Sequence, residues 1–138
     1  MAVVLGYDES PGAARALQAA IEVARAFDER LILVYGIAAP GGVGEEYASH
    51  REALRIIGRT ALEAAVEAAD AAGVSTTLEL VDAKPAEALL RIADTYDARV
   101  IVVGTWGESP LKGAILGSTP HKLLHLSARP VLCVPAHP

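Results

Sequence analysis

Five short apolar runs punctuate this chain, and a stretch with helical spacing follows each of the first four. The runs are AVVLGY (2–7), LILVYGI (31–37), STTLELV (75–81), RVIVVGT (99–105) and PVLCVP (130–135). Between the first two, apolar residues recur at Ala13, Leu17, Ile21 and Ala24, as on one face of a helix. Ser10 and Pro11 offer that helix an N-cap and a first helical position. A glycine-rich loop (38–46) leads into a long helix whose inward face reads Leu54, Ile57, Ala61, Leu62, Ala65 and Ala68, with Gly73 as its stop. Pro85 opens a third helix with Leu89, Leu90, Ala93 and Tyr96 inward, and a fourth runs from about Pro120 to Ser127. The pattern β-α-β-α-β-α-β-α-β implies an α/β domain, a parallel sheet with helices on both faces.

Strand order follows from the texture of the runs. A strand covered on both faces is continuously apolar, whereas an edge strand can alternate. Strands one, two and four are continuous; strand three alternates through Thr77, Glu79 and Val81. Strand three therefore belongs at an edge, and order 3-2-1-4-5 with right-handed crossovers satisfies this. The alternative 2-1-3-4-5 would bury the alternating strand and expose the apolar strand two. In the preferred order the winding reverses between strands one and four, and ligands of open α/β sheets bind beyond the carboxyl ends of the strands at such a point.

Size and charge narrow the function. The 138 residues suit a single domain over 1–138 with one core, and no repeat or linker interrupts them. No apolar run approaches the roughly 18 residues of a membrane span. The start MAVVLGYDES has neither a basic n-region nor a small-residue cleavage site, so no signal peptide is expected. With a single cysteine, Cys133, no intrachain disulfide can form, and a cytoplasmic location is expected. The net charge of −5, with no basic stripe and few aromatics, argues against nucleic acid as a partner. A small anion is still open to it, because backbone N–H groups bind anions without net positive charge.

The stretch GTWGESPLKGAILGSTP (104–120) falls at the predicted switch point. Gly104, Gly107 and Gly117 can take positive φ and let backbone approach a ligand. Ser118 and Thr119 add hydroxyls at a helix start, where the dipole favours an anion. The plainer reading is that the glycines turn the chain and Thr119 caps a helix with Pro120 at its first position. Other candidates are thinner. Asp8 and Glu9 offer a catalytic acid pair, against which stands the tendency of neighbours in a strand-end loop to point apart. His121 and His125, at i and i+4, form a metal pair without an evident third ligand. Cys133 reads as packed core, and Lys112 as either a phosphate contact or a solvated loop residue. No Ser-His-Asp or Cys-His arrangement is apparent.

The spacing Gly104-x2-Gly107-x9-Gly117-Ser118 resembles the nucleotide-binding motif of the universal stress protein family, in its ATP-binding branch. VVLGYDES, KPAEALLRIAD and RPVLCVP resemble the same family along the rest of the chain. The resemblance implies a Rossmann-like fold and binding of ATP, or of AMP or ADP, with Mg²⁺ as a companion. It implies that Gly104 and Gly107 shape the ribose-phosphate turn with Thr105 between them. Gly117, Ser118 and Thr119 would hold phosphate. Asp8 would sit near the ribose or the Mg²⁺, Gly6 and Tyr7 beside the adenine, Gly36 would present backbone to it, and Val103 would line the pocket. Three positions depart from the family pattern: Glu9 stands where Gly is frequent, Ala83-Lys84 where Gly-Asp is frequent, and Pro120 where a small residue follows Thr119. The expected function is that of an adenine-nucleotide-binding stress-response regulator or sensor, at most a slow ATP hydrolase. The alternatives are an adenine-nucleotide α-hydrolase-like enzyme, to whose Ser/Gly-rich loop DESPG is a poor match, and a nucleotide-free interaction module. Strand five, apolar yet at an edge, and the resemblance together imply a homodimer joined antiparallel through residues 130–134.

Overall fold

A computed structural model describes residues 1–8, 10, 12–37, 45–105 and 116–136, with the side chains of 45–47 outside the description. The elements run β1 (Ala2–Gly6), α1 (Ala13–Phe27), β2 (Arg30–Gly36), α2 (Glu45–Ala71), β3 (Thr76–Val81), α3 (Pro85–Thr95), β4 (Ala98–Gly104), α4 (Ser118–Leu126) and β5 (Val131–Val134). All pairings are parallel, and the order is β3-β2-β1-β4-β5, as the alternation of strand three predicts.

The continuous apolar runs have two faces to fill. Val3, Leu5, Leu31, Leu33 and Val102 point to α1 and α2, where Leu17, Ile21, Leu62 and Ala65 meet them. Val4, Ile32, Val34, Ile101 and Val103 point the other way, against Leu89, Ile92 and Ala93 of α3 and Leu123 of α4. Each fully buried large aliphatic side chain contributes about 1.5–3 kcal/mol relative to exposure, so no single face could be lost cheaply. At the edge, β3 is half-buried and its polar residues find polar partners. Arg30 Nη1 donates to Thr76 O at 2.8 Å and to Thr77 Oγ1 at 3.3 Å, and Tyr96 Oη donates to Glu79 Oε1.

Two local expectations need correction. Ser10 does not cap α1; the N-cap is Gly12. Asp8 Oδ1 takes the Ser10 N–H at 2.9 Å instead, an Asx turn that holds Ser10 in the turn before the helix. On α2, Ala61, Leu62 and Ala65 are buried as expected, but the first turn of the predicted face is off by one at Ile57. Ile57 is exposed, as is Ile56, and Gly58 faces the sheet against Tyr35 and Leu80. A Cβ on Gly58 would stand 2.7 Å from Tyr35 Cδ1, so only a residue without a side chain lets α2 pass that ring. Tyr96, the C-cap of α3, is half-buried and packs against the core on the α3 side as expected, while its hydroxyl reaches the sheet edge at Glu79. Gly73 behaves as expected: it follows α2 with φ of 77° and is the one described glycine in the left-handed region.

Candidate functional site

β1 and β4 are neighbours, but β1 leads to α1 on one face and β4 to α4 on the other. Their carboxyl ends therefore diverge, and a cavity of about 300 Å³ opens between them. It gathers most of the residues singled out in the sequence. Gly6, Tyr7 and Asp8 come from the end of β1, Gly36 from β2, and Val103 and Gly104 from β4. Gly117, Ser118 and Thr119 come from the start of α4. Thr105 does not line the cavity, and Gly107, with Glu9 and Lys112, lies outside the described residues.

The structure adds lining residues that no motif announced. Pro85 and Leu89 come from α3, Val34 and Tyr35 from β2, and Ser10, Ala13 and Pro120 from the helix starts. A signal for Pro85 was present in hindsight. Gly36 ends β2 beside β3, so the turn that leaves β3 must cross it. A Cβ on Gly36 would lie 2.8 Å from the Ala83 carbonyl oxygen and 3.1 Å from the Pro85 nitrogen. Gly6 makes room of another kind: a Cβ there would lie 2.7 Å from Leu89 Cδ1 and 3.3 Å from Val103 Cγ1. Both glycines let apolar groups of the α3 side close in under the cavity, giving it a hydrophobic floor.

The opposite wall is polar. α4 begins earlier than the sequence suggests: Gly117 is the N-cap, with φ of −58° and ψ of 164°, and no side chain caps the helix. Thr119 is thus not the cap and Pro120 is not at the first position. That backbone conformation is open to any residue, so positive φ does not account for Gly117. Of the first four N–H groups of a helix, which have no partner within it, that of Gly117 donates to Thr105 O at 2.8 Å and Pro120 has none. The N–H groups of Ser118 and Thr119 have no acceptor among the described residues, and both residues, which also carry hydroxyls, line the cavity. The site therefore offers an apolar floor, four hydrogen-bond donors at a helix N-terminus, and one described carboxylate, Asp8. It can hold a molecule with a flat apolar part and an anionic end.

The sequence profile described as the universal stress protein family matches residues 1–135. The chain belongs to this family. A universal stress protein of Methanocaldococcus jannaschii, MJ0531, is 28% identical over 136 residues, covering 96% of this chain and 80% of its own. A universal stress protein solved in complex with cAMP is 28% identical, with a TM-score of 0.76 over 97% of this chain and 96% of that one. The universal stress protein UspA of Lactobacillus plantarum superposes with a TM-score of 0.83 over 96% of this chain and 97% of its own, at 18% identity, a likeness of fold.

Within this universal stress protein the remaining candidates fall away from the cavity. His121 and His125 lie edge to face on exposed α4, ring centroids 4.7 Å apart, and no group of three metal-ligating side chains exists among the described residues. Cys133 is half-buried beside the α3–α4 core, where burial pushes its thiol pKa up. For Mg²⁺ the fit is partial. Asp8 supplies one carboxylate, with Oδ1 already accepting the Ser10 N–H, so a Mg²⁺ at this position would take most of its ligands from nucleotide and water.

Proposed function

We propose that the protein binds an adenine nucleotide in the crevice between β1 and β4 and works as a nucleotide-responsive stress regulator rather than a fast enzyme. The observation that carries this reading is that Ser118 and Thr119, whose N–H groups have no acceptor among the described residues, line the same cavity as Leu89, Val103 and Pro85. A relative of similar fold has been solved with cAMP, which supports an adenine ring and a phosphate as the two recognised ends. In this reading the ring lies over the apolar floor near Gly6 and Gly36, the ribose near Asp8 and Gly104, and the phosphate against Gly117, Ser118 and Thr119. Mg²⁺, where it takes part, arrives with the nucleotide. Among the described lining residues Asp8 is the one carboxylate and its Oδ1 is engaged, which favours binding over hydrolysis.

A ligand that binds only the folded state stabilises it by about 2.7 kcal/mol at a hundredfold excess over Kd. Thermal unfolding with increasing AMP should rise accordingly, and Gly117→Val should lose the rise while keeping the ligand-free midpoint. An unchanged midpoint with millimolar AMP, ADP or ATP, with and without Mg²⁺, would dispose of the reading.

The same proposal includes a cytoplasmic homodimer through residues 130–134. β5 is an edge strand, and Leu132 at its centre is 38% exposed. An apolar edge with free ladder groups pairs readily with a second copy. Leu132→Lys should shift light-scattering mass from dimer to monomer, and a monomeric wild type at tens of micromolar would contradict it.

A further inference from the structure

Away from the crevice, α4 carries two histidines one turn apart. Its inward face is Pro120 and Leu123, both buried, which turns positions 121 and 125 to solvent, and both are exposed. Residues four apart on a helix are neighbours. The two rings meet edge to face, with centroids 4.7 Å apart and planes at 69°. Neither imidazole makes a hydrogen bond or ion pair with another described residue, so the ring nitrogens are open to an outside partner. The separation of the rings says which partner fits. Two imidazoles bound to one ion through nitrogens at about 2.0–2.1 Å hold their centroids roughly 4.5–5.2 Å apart, for ligand angles between about 90° and 109°. The observed 4.7 Å falls inside that interval. The edge-to-face tilt leaves only the ring torsions to adjust, and χ2 of histidine is soft. The helix, STPHKLLHL, has no carboxylate, so it offers nothing to hard cations such as Mg²⁺ or Ca²⁺. Imidazole suits zinc, copper and nickel. Lys122 follows His121, but adjacent helix positions do not face each other, and it adds only a general repulsion.

We propose that His121 and His125 form a two-histidine surface site for a borderline divalent transition-metal ion, Zn²⁺ or Cu²⁺, with water in its remaining positions. The ion joins successive turns of a nine-residue helix, a length that is marginal without outside support. It therefore staples α4. The site is independent of the nucleotide reading, because neither histidine lines the crevice.

Calorimetric titration of tag-free, chelator-stripped protein with Zn²⁺ tests this, alongside His121→Ala, His125→Ala and Cys133→Ser. The wild type should bind one ion per protomer, and its thermal midpoint should rise as Zn²⁺ is added. Each histidine variant should lose at least about tenfold in affinity, the loss that follows removal even of an outer partner of a metal ligand. Cys133→Ser should bind as the wild type does. With Cu²⁺ in place of Zn²⁺, electron paramagnetic resonance should show two nitrogen ligands in the wild type and fewer in either histidine variant. No binding of either ion up to millimolar concentration, or an isotherm unchanged in either histidine variant, overturns the proposal. So does a loss in Cys133→Ser, which would move the ion to the thiol, and so does one ion per two protomers, which would place it between copies. Both histidines are exposed and alanine favours helix, so the variants should fold. Should circular dichroism show otherwise, His121→Gln and His125→Gln carry the same test.

Discussion

The N–H of Gly117 donates to the carbonyl of Thr105 at 2.8 Å, so the end of β4 and the cap of α4 are joined directly. The N–H of Thr105 in turn donates to Val134 O at 3.0 Å, which continues the ladder between β4 and β5. Position 105 thus holds the start of α4 in register with the sheet, and it does so with backbone alone. The Thr105 Oγ1 is buried and has no hydrogen-bond partner among the described residues. A buried hydroxyl left unpaired costs about 1–3 kcal/mol. Thr105→Val, which keeps the shape and removes the hydroxyl, should leave urea stability unchanged or raised by about 1 kcal/mol and leave nucleotide affinity intact. A loss of stability would show that the hydroxyl has a partner.

The two glycines under the cavity should not be equally replaceable. At Gly36 an added methyl meets backbone, the Ala83 oxygen at 2.8 Å and Pro85 at 3.1 Å, and backbone cannot rotate away. Gly36→Ala should cost about 1–3 kcal/mol in urea unfolding, the usual range for overpacking, and weaken nucleotide binding by moving Pro85. At Gly6 the obstacle is the tip of Leu89, a side chain with other rotamers. Gly6→Ala should therefore cost less stability than Gly36→Ala; the reverse order would contradict the packing account.

Alkaline stability should depend on the edge of β3. The hydrogen bond that Tyr96 donates to Glu79 raises the phenol above its ordinary pKa of 10.0, with burial adding to the effect. A group whose pKa is raised on folding stabilises fully below its unfolded pKa and ceases to do so as pH rises through the folded one. Stability should therefore hold from neutral pH to about 10 and fall beyond it. Tyr96→Phe should flatten that part of the decline. Urea midpoints between pH 8 and 11 for both proteins make the comparison, and identical slopes would count against the bond.

How much of this was legible in the sequence varies with the physics of each residue. Strand order could be read because burial on two faces and on one leave different textures, and Thr77 and Glu79 record the edge. The switch-point crevice follows from that order. Most of the α2 face could be read, but not the exchange of Ile57 for Gly58, since apolar periodicity counts Ile57 and ignores Gly58, while the Tyr35 ring decides the contact. The start of α4 was misplaced because Thr119-Pro120 is a common cap pair, whereas the Gly117–Thr105 bond, a tertiary contact, fixes the cap two residues earlier. Pro85 and Leu89 enter the site only through strand adjacency, which no local motif encodes. Thr105 sits inside the motif but serves it through backbone.

The central claim is that the crevice holds an adenine nucleotide, and native mass spectrometry of the protein freshly purified under mild conditions tests it most directly. The account predicts a population heavier than the bare chain by one adenine nucleotide per protomer. That population should be restored by added AMP after stripping and missing from Gly117→Val. A spectrum showing only the bare mass, before and after millimolar nucleotide is added, would contradict it.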